Sequence, residues 1–448
     1  MIPKRQRNAL LFLLVILLSL LFALKADSLF AMPQVRRMVL PNQLVLLVSE
    51  EHSIPLVTLR LLVEAGSRRD PPGKEGLANM TANGLLLGTS SYSVTAFNEA
   101  LDFMGASLGA SAERDYATLT LRTLKKDLDR GFDLFMEALT RPTFPDDEVR
   151  RQTEKTLAAI QSAEERPGHV ARKAFRSALL PGSPYGHPVK GTEESLPRIT
   201  RETILQFRRT FYHPNNAILA VVGDITLDEV RTRLIPRLSQ WPRAMIPDEH
   251  FTPTFARGPE TIAIERHITQ ANIILGHQGV SRNNPDYYAL SVMNYILGGG
   301  GFGSRLMEEI RVKRGLAYSV VSYFAPGKYP GLFQVIVQTR NASAQETISL
   351  IRQEMERIQT EPVSGEELEK AKKYLIGSFP FRLDTQSKLA SFLTQVEYHG
   401  LGLDYPEKHP SYINAVTQDD VLRVARSYLH PDRAILVLVA HLKEAGIE

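Results

Sequence analysis

Residues 199–222 read ITRETILQFRRTFYHPNNAILAVV, and residues 416–439 read VTQDDVLRVARSYLHPDRAILVLV, at a constant offset of 217 with no gap. An internal repeat on this scale constrains the architecture before any motif is read, because each copy has to build the same supersecondary unit. In each copy a threonine, Thr200 or Thr417, stands as N-cap before an acidic first turn, and the helix has to stop ahead of His213-Pro214 or His430-Pro431. An apolar strand follows in both, Ala217 to Val222 and Ala434 to Val439, long enough to lie in a buried sheet. A second pair, Thr140 to Val149 and Thr360 to Glu369, aligns at an offset of 220 and joins one amphipathic helix to the next. Val149, Thr156, Leu157 and Ile160 share one helical face, the stripe of a helix laid on a sheet. The expected fold is α+β, with two tandem homologous domains at residues 32–240 and 261–448. Residues 241–260 are the expected linker, where Pro242, Pro247, Pro253 and Pro259 forbid regular structure.

A chain of 448 residues suits this two-domain reading, and its charged content of 23% is ordinary for a globular protein. Cysteine is absent, which removes disulfides, thiolate zinc sites, cysteine nucleophiles and a lipoprotein anchor. Most of the net charge of +4 sits in Lys4, Arg5, Arg7 and Lys25, so the rest of the chain offers no basic face for nucleic acid. Those basic residues flank an apolar run from Ala9 to Leu24, with small residues following at Ala26, Ser28 and Ala31. Residues 1–31 are therefore expected to be an export signal that delivers the chain to the periplasm. A retained membrane anchor stays open as the alternative, because position −3 is not small before either Ala26 or Ala31.

In the first copy a strand ending near Val63 leads through Gly66-Ser67-Arg68 to Gly76-Leu77-Ala78 and on to Gly88-Thr89. This frame resembles the pitrilysin and insulinase family of zinc peptidases. The resemblance implies that each domain is a mainly antiparallel sheet covered by helices, and that the two form one half of a clamshell. It also implies two histidine ligands at positions 79 and 83, a general base at 82, and a glutamate ligand about 76 residues later, at 159. This sequence holds Asn79, Ala82, Asn83 and Ala159 there. Zinc requires imidazole, thiolate or carboxylate donors, and Ala82 cannot take a proton from a bound water. The eleven histidines contain no pair spaced by three or four residues, so the sequence displays no replacement metal site. His187 lies in a Pro184-Tyr185-Gly186 loop that matches the family, and His213 and His430 precede prolines and read as structural.

The second copy carries Leu297, four glycines, Phe302, Gly303 and then Ser304-Arg305-Leu306. Gly298, Gly300 and Gly303 formally satisfy a dinucleotide fingerprint, but Tyr287 to Leu297 before them has helical spacing and the fingerprint needs a strand. The stretch is similar instead to the family's second-domain signature. By that resemblance Arg311 and Tyr318 fall on the arginine and tyrosine that reach across the chamber to the scissile peptide and its oxyanion. The alternative is a solvated helix residue at 311 and a core tyrosine at 318. Ser107, Leu108, Gly109 and Ala110 are the expected strand against which a peptide could lie through backbone hydrogen bonds.

The pattern looks like that of the partner subunit without zinc in two-subunit relatives. The resemblance then implies an inactive chain with no cofactor of its own, which pairs with a zinc-bearing homologous subunit and completes its peptide chamber. A structural or peptide-binding protein with no peptidase partner is the second reading. A zinc enzyme with unusual ligands is a distant third.

Overall fold

The computed structural model describes residues 34–248, 251–256 and 258–447. The proposed export segment lies outside them. Among the described residues no helix is long and apolar enough to cross a membrane.

The first copy builds a six-stranded sheet from β1 (Val35–Val39), β2 (Val45–Glu50), β3 (Leu56–Val63), β4 (Ser107–Ala112), β5 (Ala117–Leu124) and β6 (Ala217–Gly223). Their order is β1-β2-β6-β3-β5-β4, with β2 and β6 parallel and the other neighbours antiparallel. The second copy builds a five-stranded sheet from β7 (Glu260–Glu265), β8 (Gln270–Gln278), β9 (Ala317–Ala325), β10 (Leu332–Arg340) and β11 (Ile435–Ala440), ordered β7-β11-β8-β10-β9. Here β7 and β11 are the parallel pair. The repeat is visible in detail: the helices Arg201–Phe211 and Gln418–Tyr428 both begin with capping boxes, on Thr200 and Thr417, and both lead through His-Pro into a central strand. β7 starts at Glu260, directly after Pro259, the last of the linker prolines.

Each central strand is apolar throughout because both faces of its sheet are covered. In the first sheet Leu46, Val48, Leu219 and Val221 face one core, packed with helices of their own copy. The alternate residues Leu47, Ala220 and Val222 face Leu389, Ala390 and Leu393 of the helix Gln386–Tyr398, which belongs to the second copy. The second sheet mirrors this. Leu436 and Leu438 face their own helices, whereas Ile435, Val437 and Val439 face Val170, Ala171 and Phe175 of the helix Pro167–Leu179 from the first copy. These two helices are each 13 residues long and occupy equivalent positions in the repeat. Period-two alternation of apolar side chains thus makes each copy complete only with the other's helix.

Polar groups lock the exchange. Arg37 of β1 forks onto Glu397 with hydrogen bonds of 2.8 and 3.0 Å, and Lys328 reaches Glu64 at 2.8 Å. Tyr185, from the Pro-Tyr-Gly loop, donates to buried Asp115 and stacks on Phe251 of the linker, which in turn meets Tyr329 of the second copy edge to face. His213, read from the sequence as structural, holds its ring nitrogens 2.9 Å from the Pro242 oxygen and 2.7 Å from the Arg209 oxygen. It ties the start of the linker to the first copy.

Candidate functional site

Positions 79, 82 and 83 lie on the helix Leu77–Gly84. Gly76 precedes it with φ +100°, where a Cβ would meet the Lys190 oxygen at 2.7 Å, so only glycine fits both the backbone and the space. No side chain caps the helix from the Gly76 position. The Asp70 carboxylate does that work, accepting the N–H groups of Gly76 at 2.8 Å and Ala78 at 2.7 Å. Burial pushes the Asp70 carboxyl up to about 7, against the opposing pull of these two donors.

The helix therefore keeps a defined frame while its chemistry is gone. The Asn83 amide donates to the Asn79 backbone oxygen at 2.8 Å and to the Asn79 side-chain oxygen at 3.1 Å. The two side chains bond to each other rather than converging on a shared ion. Ala82 is fully buried in the first core. The helix Asp146–Glu164 packs alongside, its buried Thr156 hydroxyl 3.9 Å from the Met80 sulfur, and Ala159 sits one turn further on, exposed.

β4 is one of the two outer strands of its sheet, hydrogen-bonded only to β5 among the described residues, from Ser107 opposite Arg122 to Ala112 opposite Ala117. Ser107 and Gly109 are exposed, while Leu108 and Ala110 lean against the core. A Cβ added at Gly109 would meet nothing within 4 Å, so the strand presents a narrow, open backbone edge. Such an edge can accept another strand without any catalytic side chain.

In the second copy β9 is the equivalent outer strand, and Tyr318 near its start is 82% exposed. The core-tyrosine alternative fails on this observation. Arg311 leaves the last helical turn before β9 and donates to the Tyr318 carbonyl oxygen at 2.7 Å. Its guanidinium lies 4.4 Å from the Tyr318 ring centre and 4.5 Å from that of Phe302, which is 67% exposed. The result is a stack of ring, cation and ring standing in solvent.

The glycine run explains how Phe302 gets there. Gly298 packs so closely on β9 that a Cβ would meet the Ser322 hydroxyl at 2.5 Å, and Ser322 also bonds to Asn294 at 2.9 Å. The helix Tyr287–Asn294 precedes the glycines, so the nucleotide fingerprint is excluded by structure as well as by spacing. Arg305 of the Ser-Arg-Leu signature is a holding residue, forked onto Glu367 at 2.7 and 3.0 Å and nearly buried. Burial alone would raise the Glu367 carboxyl, but Arg305 and the Ser364 N–H outweigh it and hold it at about 2. The sequence reading named Arg311 and Tyr318 and missed Phe302, whose only signal was a lone aromatic inside a glycine run.

Comparison with known proteins gives this arrangement its context. The profile of the insulinase family, peptidase family M16, matches residues 45–193, and that of the peptidase M16 inactive domain matches residues 198–375. The chain belongs to peptidase family M16. This M16 chain is 28% identical to an uncharacterized zinc protease of Streptomyces coelicolor, over 92% of itself and 90% of that protein. It is 25% identical to a non-peptidase homolog of Helicobacter pylori, over 97% and 99%, and 24% identical to a probable mitochondrial-processing peptidase subunit beta of Arabidopsis thaliana, over 90% and 78%. Among solved structures, a peptidase M16 inactive domain from Pseudomonas fluorescens matches with a TM-score of 0.85 and 29% identity, covering 91% of this chain and 98% of that one. The zinc that gives the family its activity does not fit positions 79, 82, 83 and 159 of this member, where two mutually bonded amides and two methyl groups offer no ligand set. It is an inactive homologue within the family.

Proposed function

We propose that this chain is the non-catalytic subunit of a zinc-dependent peptidase complex, closing the substrate chamber and contacting the peptide through Arg311 and Tyr318. The partner is a zinc-bearing homologous subunit that supplies metal and base. This chain supplies hydrogen-bond donors: the Tyr318 hydroxyl and the Arg311 guanidinium can stabilise the scissile carbonyl oxygen as charge develops on it. The observation that carries the reading is the exposed stack of Phe302, Arg311 and Tyr318. A phenol that is 82% exposed and held against a cation contributes little to folding, so its geometry is better suited to an incoming ligand. Residues Ser107 to Ala110 of the unpaired β4 edge would hold the peptide backbone in extended form. Residues 1–31 are proposed to export the chain to the periplasm or to anchor it facing that space.

The test is reconstitution. The full chain mixed with an M16 homologue that carries the intact H-x-x-E-H motif is expected to co-elute with it and raise its peptide cleavage, while showing no cleavage alone. Absence of pairing with every such homologue from the same cell overturns this reading. That outcome favours the second one, peptide holding without a peptidase partner, for which the free β4 edge is sufficient.

A further inference from the structure

The strands β7 and β11 run parallel as neighbours, with Ala440 opposite Glu265, so both segments leave the sheet at the same end. Backbone bonds stitch the exits together. Arg266 N–H donates to the Ala440 oxygen at 2.8 Å, and Leu442 N–H donates to Glu265 Oε2 at 2.9 Å. This brings His267, two residues past Glu265, beside His441, the first residue past β11, with ring centres 5.5 Å apart. One ligand atom from each of Glu265, His267 and His441 lies within 4.8 Å of the other two. The histidines are 174 positions apart in the chain, so no local spacing could reveal the pair.

We propose that Glu265, His267 and His441 form a binding site for a divalent transition-metal ion, zinc first among them, separate from the degenerate centre on the helix Leu77–Gly84. Two imidazoles and a carboxylate are the donor types that zinc takes at bonds of roughly 2.0–2.2 Å. The remaining groups are arranged as metal sites require. His441 Nδ1 stands 3.2 Å from Glu444 Oε1, which orients the ring and leaves Nε2 for the ion, and Glu444 Oε2 is itself fixed by the Asn341 amide at 3.0 Å. Glu265 commits Oε2 to the Leu442 N–H and keeps Oε1 on the side of His267, 3.9 Å from its Nδ1. His267 is 90% exposed, so rotation of its side chain draws the three donors together without moving the sheet. The bound ion clips the strand that opens the second copy to the strand that ends it. A fourth coordination position opens to solvent and takes water.

The experiment is a titration of the tag-free full chain with zinc chloride, read by calorimetry and by thermal melting. About one zinc per chain and a rise in Tm are expected, because an ion that binds only the folded state stabilises it. His267→Ala, at an exposed position that the fold does not need, and Glu265→Gln are each expected to weaken zinc binding at least about tenfold. Asn79→Ala is expected to leave it unchanged. Zinc binding undiminished in His267→Ala, zinc binding lost in Asn79→Ala, or no saturable binding up to about 1 mM overturns the assignment.

Discussion

The Asn83 amide spends its donors on Asn79, and Ala82 beside them has no exposed surface. Restoring the family's residues with Asn79→His, Ala82→Glu, Asn83→His and Ala159→Glu therefore has an asymmetric cost. The changes at 83 and 159 touch half-buried or exposed positions, and Asn79, though buried, already carries a polar side chain, but Ala82→Glu forces a carboxylate into a filled apolar core. Overpacking alone costs about 1–3 kcal/mol. The metal-free fourfold variant is expected to melt several degrees below the parent, with most of the loss reproduced by Ala82→Glu alone; an unchanged Tm would mean that the pocket is still open. A second residue, His277, sets a pH limit. Its Nε2 accepts the His430 N–H at 3.1 Å and its Nδ1 lies 2.7 Å from the Gln278 oxygen, so the neutral ring is satisfied, and burial lowers it from 6.5 to about 4. The unfolded chain takes up a proton near pH 6.5 that the folded chain refuses until about pH 4, so stability is present above that window and falls on acidification through it. The full effect is on the order of 3 kcal/mol. Asp70, His399 and His409 titrate across the same window, so the difference between the parent and His277→Gln in urea unfolding at pH 7 and pH 4.5 isolates it, and the variant should lose less stability on acidification than the parent. The lack of donor side chains at positions 79, 82, 83 and 159 was legible in the sequence because it is a matter of residue type at fixed spacing. The Arg311 stack with Phe302 and the cluster of His267 with His441 were not, because both arise from side chains that the chain order keeps apart or unremarkable.

At the scale of elements, the repeat predicts equal energetics in equal places. Thr200 accepts the Thr203 N–H at 3.3 Å and Thr417 accepts the Asp420 N–H at 3.1 Å, each at the head of an 11-residue helix that precedes a central strand. Thr200→Ala and Thr417→Ala are each expected to cost about 1 kcal/mol. The two caps share no partner, so the double variant should lose about 2 kcal/mol. Denaturant titration of the three variants checks this, and a strongly unequal pair would contradict their equivalence. Caps, helix stops and central strands were readable from the sequence to within a residue or two because local chemistry decides them. The edge position of β4 and β9 was not, because strand order depends on pairings between distant segments. Yet that order leaves one edge of Ser107 to Ala110 without a strand partner among the described residues and lifts Tyr318 into solvent.

For the whole molecule, the exchanged helices make the two copies one compact unit from Val35 onward. Residues 32–240 expressed alone would bare Leu47, Ala220 and Val222, the face that Leu389 and Leu393 cover. That fragment is expected to aggregate, and to become soluble when residues 261–448 are co-expressed; an independently folded monomer would contradict the exchange. Two domains were evident from the repeat, whereas the reciprocal cover was hidden, since either face of an all-apolar strand looks alike in sequence. Among its described residues the unit presents β4 and β9 as outer strands and an exposed cationic stack beside β9, and positions 79, 82, 83 and 159 carry no zinc ligand or base. The central claim, that it assists a partner's chemistry, is tested most directly by cleavage rates of reconstituted pairs carrying Tyr318→Phe or Arg311→Ala, with assembly checked by co-elution. Loss of one oxyanion donor typically costs about 2.7–4 kcal/mol, so turnover should fall roughly a hundredfold to a thousandfold while pairing survives. Normal turnover in both variants, within a complex shown to be active, would contradict the account.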